Sequence, residues 1–267
     1  MNGVEPWQRP ARHANRNLPE FRRRDSVAGM MSWRTLSTAL LVTITVLWGG
    51  SWTRAQEVQR HGVVFEEWVR GTFFDGYRPE GYTQKWDIPA EANRRHGGVA
   101  VNPKAIKWRT SVDLGDALRQ FDIDEPFILV IGYWIQDGPQ KRFVKIVAPR
   151  IEPEQWRALW GPVTRADLQR LDAMIKDRDI PHQEVRRRAK AMKAEAPFPE
   201  AVFTLNPKID SKGQRRLQCS LRFDEVFARL LPGVTPTAED APELWGVAFP
   251  GPIESGPRAF APGGRPE

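Results

Sequence analysis

The sequence predicts a single α/β (α+β) domain, a mixed central sheet flanked by helices, over residues 57–232. Three observations predict it. FILVIGYWIQ, from Phe127 to Gln136, is a continuous apolar run, the mark of a central strand buried on both faces. Asp137-Gly138 is a hairpin turn signal, and RFVKIVAP from Arg142 to Pro149 returns as the partner strand. On either side, strand pairs are mixed with helical stretches, the pattern of one sheet with helices packed against it.

In chain order, Val63, Val64, Phe65, Trp68, Val69, Phe73 and Phe74 form the apolar stripe of a first helix, which Asp75-Gly76 ends. Glu66 and Glu67 sit inside the stripe. Tyr82 to Arg109 reads as two short strands around a polar turn, the first ending in Asp87. The second, Gly98 to Lys104, alternates Val99, Val101 and Pro103 against Ala100, Asn102 and Lys104, and Pro103 pushes it toward a sheet edge or a strand end. A helix follows from Asp116 to Phe121, with Asp113 or Ser111 available to cap it. After the central hairpin come a short helix with Trp156, Leu159 and Trp160, a helix from Arg165 to Lys176 capped by Thr164, and a basic helix from Pro181 to Glu195. That last helix is either a phosphate-contacting face or an ordinary solvated one. Strands at Phe198–Asn206 and Arg216–Leu221, with a polar loop between, and an amphipathic helix at Phe223–Leu231 complete the domain.

The net charge of +7 over 267 residues favours an anionic partner, whether nucleic acid, a membrane surface or an acidic polymer. Cys219 is the only cysteine, so no intrachain disulfide forms. Four scattered histidines without metal-ligand spacing argue against structural zinc. Residues 1–56 read as a basic, disordered segment followed by a signal-peptide-like stretch, with an apolar run from Leu36 to Trp48 too short for a comfortable membrane span. A true signal at 31–55 means export. A start-site artefact over 1–56 means a cytoplasmic protein. Residues 233–267, rich in Pro and Gly, read as a disordered tail.

The candidate chemistry lies in Glu66 or Glu67, Asp87, Asn102 and Lys104. Magnesium takes hard oxygen ligands, usually one or two carboxylates plus substrate phosphate. Phosphodiester hydrolysis also needs an activated water and a cation near the charge developing on phosphorus. Asp87 and Glu66 suit the metal, and Lys104 suits the water or the transition state. The plainer alternative makes Asp87 a turn cap and Lys104 a surface charge. A second registration, with Asp113 as first carboxylate, places no acid or lysine on the strand at 127–136 and ranks lower. A further set, Lys208, Lys212, Gln214, Arg215 and Arg216 with Asp210 in the loop between the last strands, suits contacts to a phosphate backbone, and Lys107 and Arg109 add to it. A solvated hairpin tip is the bland alternative.

An inward glutamate in FEEWV, a strand ending in Asp in YTQKWDIP and a strand ending in Lys in VAVNPK together resemble the PD-(D/E)xK restriction-endonuclease-like superfamily. The resemblance implies a restriction-endonuclease-like fold and Mg²⁺-dependent cleavage of double-stranded DNA. It assigns Asp87, Lys104, Asn102 and Glu66 to the site. Cutting both strands with two-fold symmetry calls for two active sites, which favours a homodimer. The family has Asp or Glu two residues before the lysine, whereas this chain has Asn102, and Trp86 replaces the usual Pro. Two other readings stand beside the nuclease: a non-catalytic DNA-binding module on the same fold, with Asn102 marking lost catalysis, and an exported structural or interaction protein.

Overall fold

The computed structural model describes residues 53–79, 85–211 and 213–254, which belong to one compact unit. The expectations for the basic segment and the apolar run at 36–48 lie outside the described residues. Among the described residues no helix is long and apolar enough to cross a membrane.

Helix α1 (Thr53–Phe73) begins before the expected start and buries Phe65, Val69 and Phe73. Strand β1 (Ala100–Lys107) follows, then β2 (Val112–Asp116) and α2 (Ala117–Phe121). Of the expected strand before Asp87, residues 82–84 lie outside the described residues, and in the described part only Ile88 exchanges backbone hydrogen bonds with β1, through Val101. The cap of α2 is also corrected. Asp116 accepts from the Arg119 N–H at 2.9 Å, whereas Asp113 accepts from the Gly115 N–H and lies within β2.

Strand β3 (Phe127–Asp137) is the predicted central strand, and β4 (Gln140–Val147) returns through the two residues Gly138 and Pro139. Gly138 has φ +54°, as the first central position of a short hairpin loop requires. Strand β5 (Arg150–Ile151) pairs with the start of β3, and α3 (Pro153–Ala158) follows. Helix α4 (Arg165–Lys176) opens with a full capping box between Thr164 and Asp167. Helix α5 (His182–Lys193) leads through a single 3₁₀ turn at Phe198–Glu200 to β6 (Thr204–Ile209). The strand expected at 198–206 thus starts and ends later, since Pro197 and Pro199 suit a turn. Strand β7 (Arg215–Leu221) precedes α6 (Phe223–Glu225), which continues as one π turn at Val226–Leu230.

Two sheets result. The first has the order β1-β3-β4 and closes with β10 (Ile253–Glu254); the pair β1/β3 is parallel and β3/β4 antiparallel. The second is antiparallel, β2-β7-β6. This is a mixed α+β architecture with a mixed sheet flanked by helices. Along β3, Leu129, Ile131 and Tyr133 join one core with α3, α4 and the second sheet. Ile128 and Val130 join another core with α1. A strand with both faces covered must be apolar throughout, which explains its unbroken run.

Of the tail expected to be disordered, residues 255–267 lie outside the described residues, and the stretch 233–254 departs from that expectation. It forms the short hairpin of β8 (Glu243–Leu244) and β9 (Val247–Ala248), and Leu244, Phe249 and Ile253 are buried in the α1-side core. Ion pairs of Lys145 with Glu239 and Arg142 with Asp240 hold it along β4. Its apolar residues are few and separated by Pro and Gly, so no period reveals them.

Gly132 marks the tightest packing. A Cβ there would sit 2.5 Å from the Phe65 ring and 2.6 Å from Phe143, and these two rings stack 4.9 Å apart over the strand. Gly132→Ala is expected to destabilise the fold by about 1–3 kcal/mol through overpacking, measured by urea unfolding. An unchanged midpoint would show that α1 is not seated on this glycine.

His61 of α1 is buried against Trp134, and its Nδ1 lies 3.4 Å from Lys141 Nζ. Burial, and then the Lys141 charge, lower its pKa from about 6.5 to about 4. The ring is neutral in the folded state near neutrality, while the unfolded chain takes up a proton below pH 6.5. This contribution to stability is full above pH 6.5 and is lost as pH falls toward 4. His61→Gln should flatten the dependence of unfolding free energy on pH between 4 and 6.5, by on the order of 3 kcal/mol across the window.

Candidate active site at the edge of the first sheet

Strand β1 has β3 on one side only, so its other edge is open to whatever the preceding chain brings. The chain brings Asp87. Two backbone hydrogen bonds between Ile88 and Val101, at 3.1 and 2.8 Å, dock this segment antiparallel to β1. In that register the residue before Ile88 lies beside the residue after Val101, so Asp87 falls next to Asn102. Lys104 donates from Nζ to Asp87 Oδ2 at 3.2 Å. Its side chain is only 24% exposed.

Glu66 arrives from α1. It neighbours Phe65, whose ring is fixed over Gly132, so the packing of one residue sets the position of the next. Arg70, one turn on, approaches the Glu66 carboxylate at 3.9 Å. The Glu66 carboxyl is raised above the ordinary range, first by burial and then by the negative charge of Asp87, while Lys104 and Arg70 pull it down. That mutual influence puts Glu66, Asp87 and Lys104 in one electrostatic neighbourhood. Asn102 is 8% exposed and its Oδ1 has no hydrogen-bond partner. A buried carbonyl oxygen left without a donor carries a real free-energy penalty and calls for an explanation. Cations satisfy such an oxygen as readily as N–H groups do.

The structure thus brings together Glu66, Asp87 and Lys104, with Asn102 beside Asp87 in the strand register. Glu67 is exposed. Among the described residues no three His, Cys, Asp or Glu side chains gather into a metal cluster. The donor set here is two carboxylates and one amide oxygen. That set fits magnesium, which commonly takes one or two protein carboxylates and leaves the remaining positions to water and phosphate. Arg70 was not singled out from the sequence, although its position four residues after Glu66 on one helix makes the pairing readable.

The expected DNA contacts are dispersed. Lys107 ends β1 and is exposed. Arg109 sits two residues further on with φ +60°, in a turn closed by the Thr110 N–H and the Lys107 carbonyl. Lys208 and Arg216 lie directly opposite each other on β6 and β7. Lys212 lies outside the described residues. Gln214 donates its backbone N–H to Asp210 Oδ1 at the hairpin tip. Arg215 departs from the expectation: its guanidinium turns inward and donates to the carbonyls of Ile175, Asp177 and Ile180, tying β7 to the end of α4. Those donors are spent on a helix C-terminus and do not face a phosphate.

Comparison with protein-family models, curated proteins and solved structures finds no match.

A carboxyl raised in the fold holds its proton to higher pH than in the unfolded chain. The stability of such a group is therefore full below its ordinary pKa and declines as pH rises through the folded value. Glu66→Gln is expected to raise the thermal midpoint at pH 8 and leave it unchanged at pH 4. An equal shift at both pH values would place the effect in packing rather than charge.

Proposed function

We propose that the chain is a Mg²⁺-dependent endonuclease that hydrolyses phosphodiester bonds of double-stranded DNA. The observation that carries this reading is the gathering of Glu66, Asp87 and Lys104 beside the unpartnered Asn102 oxygen at the open edge of β1. Two acids in one electrostatic neighbourhood, one with its charge disfavoured, form a site that gains from a bound cation.

Glu66 and Asp87 would hold the metal, and Asn102 Oδ1 offers a neutral oxygen. The metal, when bound, supplies Lewis acidity toward a phosphoryl oxygen and an activated water. Lys104, held by Asp87, keeps an ammonium where it can orient a water or stabilise the charge that grows on the phosphoryl oxygens. Arg70 holds the Glu66 carboxylate from one turn away. The positive net charge favours a polyanionic substrate.

A second reading has one observation of its own. Asn102 is an amide, so the donor set carries only two negative charges, and a site of this kind suits a DNA-binding module whose catalysis has been lost.

The test uses the full chain, because residues 243–253 are part of the α1-side core. Plasmid DNA should be cut with Mg²⁺ and left intact in EDTA. Asp87→Asn and Lys104→Ala should each lower the rate by about 10²-fold or more. Cutting at the original rate in both variants would sink the site. Binding without cutting in any divalent metal, with Asn102→Asp gaining metal affinity, would establish the second reading.

A further inference from the structure

Three cavities on the side of the second sheet share lining residues in succession. The first, about 480 Å³, is lined by Arg109, Ser111 and Phe223, and ends at Arg222. Arg222 also lines the second, about 400 Å³, which runs over Phe203 and Thr204 to Lys193. Lys193 in turn lines the third, about 200 Å³, between α5 and β6, where Arg186 and Lys190 stand over Ile209. They lie in series as an interrupted furrow, with Arg222 and Lys193 at its two junctions, from the turn after β1 to the last two turns of α5.

The furrow carries an excess of positive charge. Among the described residues Arg109, Lys190 and Lys193 have no carboxylate partner, and Arg186 donates only to the Ile209 carbonyl. Arg222 is paired with Glu225, but Glu225 is shared with Arg229. Asp224 is the one other acid along the way. Lys193 is half-buried, and burial lowers its pKa with no acid nearby to offset it. Cations left this way along a line repel one another and gain from a linear anion laid between them. Cavities of a few hundred cubic ångströms take a ligand of nucleotide scale, so one strand fits where a duplex does not. The floor residues Phe198 and Phe203 are buried, so the bases have no aromatic platform and recognition falls to the phosphates.

We propose that this furrow binds a single extended nucleic-acid strand through its phosphates. Binding of this kind does not depend on the nuclease reading.

Fluorescence anisotropy in EDTA, with a labelled single-stranded 12-mer and the full chain, separates binding from cleavage. Affinity should fall with salt with a logarithmic slope of about −3, as expected for four to five phosphates on a single strand. The triple variant Arg109→Gln, Lys190→Gln, Lys193→Gln should lose at least about tenfold in affinity and about 2 units of slope. A control that removes as many charges from α4 (Arg165→Gln, Arg170→Gln, Lys176→Gln) should lose less than about threefold. Equal losses in the two variants, or tighter binding of the duplex 12-mer, would overturn the proposal. So would long-chain polyphosphate binding where the 12-mer does not. If the triple variant unfolds early, the exposed single changes Arg109→Gln and Lys190→Gln carry the same comparison. Asp87→Asn should leave the EDTA affinity intact, and wild-type binding without cleavage in Mg²⁺ would remove the nuclease reading alone.

Discussion

Phe65 on Gly132 is the contact on which the rest of the structure depends. Strand β3 can accept the ring only because position 132 lacks a side chain, and Phe143 from β4 closes over the same spot. The stack fixes α1 on the first sheet at one height and one rotation. Glu66 is the next residue, so its approach to Asp87 and Lys104 follows from an apolar packing event rather than from electrostatics. The C-terminal hairpin seals the arrangement by bringing Phe249 against Phe65 and Phe143. Close packing of this kind transmits small displacements, since interiors have little free volume to absorb them.

Strand β1 plays the complementary part. Its parallel pairing to β3 leaves one edge free, and Pro103 lies opposite Val130 in a strand whose outer edge is mostly unpaired. A single bridge at Ile88 is enough to set Asp87 beside Asn102. The candidate site therefore draws on β1 and α1 and on the segment ending in Asp87, which the buried Trp86 and Ile88 on either side of that residue anchor in the two cores. Positive charge surrounds it unevenly. The cations on α5 and β7 that look equivalent in sequence do different work. Arg187 and Arg188 share Glu184, Arg186 and Arg215 bond backbone carbonyls, and Lys190 and Lys193 remain without a carboxylate.

Much of this was legible in the sequence. The central strand declared itself because a strand buried on both faces has no polar position, and the hairpin after it because Gly138 is needed where φ is positive. Helix α4 declared itself through Thr164 and Asp167, a local capping chemistry that needs no tertiary partner. Asp87 and Lys104 stood out as a carboxylate and a lysine at neighbouring strand ends, while the grouping with Asn102 and Glu66 rested on the family resemblance. Other features were out of reach. β2 pairs with β7, about a hundred residues away, and its five residues carry two acids and a glycine. The segment after 232 contributes three scattered apolar residues that acquire meaning only once a groove exists to receive them.

The sequence by itself determined the apolar periods, the caps, the turns and the charge, because these depend on residues within a few positions of one another. Tertiary structure decided which of those charges meet. Asp87 and Lys104 are seventeen residues apart, and their ion pair exists because Ile88 bonds Val101. Arg215 belongs to the core scaffold and Lys193 to an open furrow because of what packs above each. Side-chain fate of this kind is set by burial and long-range pairing, and neither is a property of the local chain.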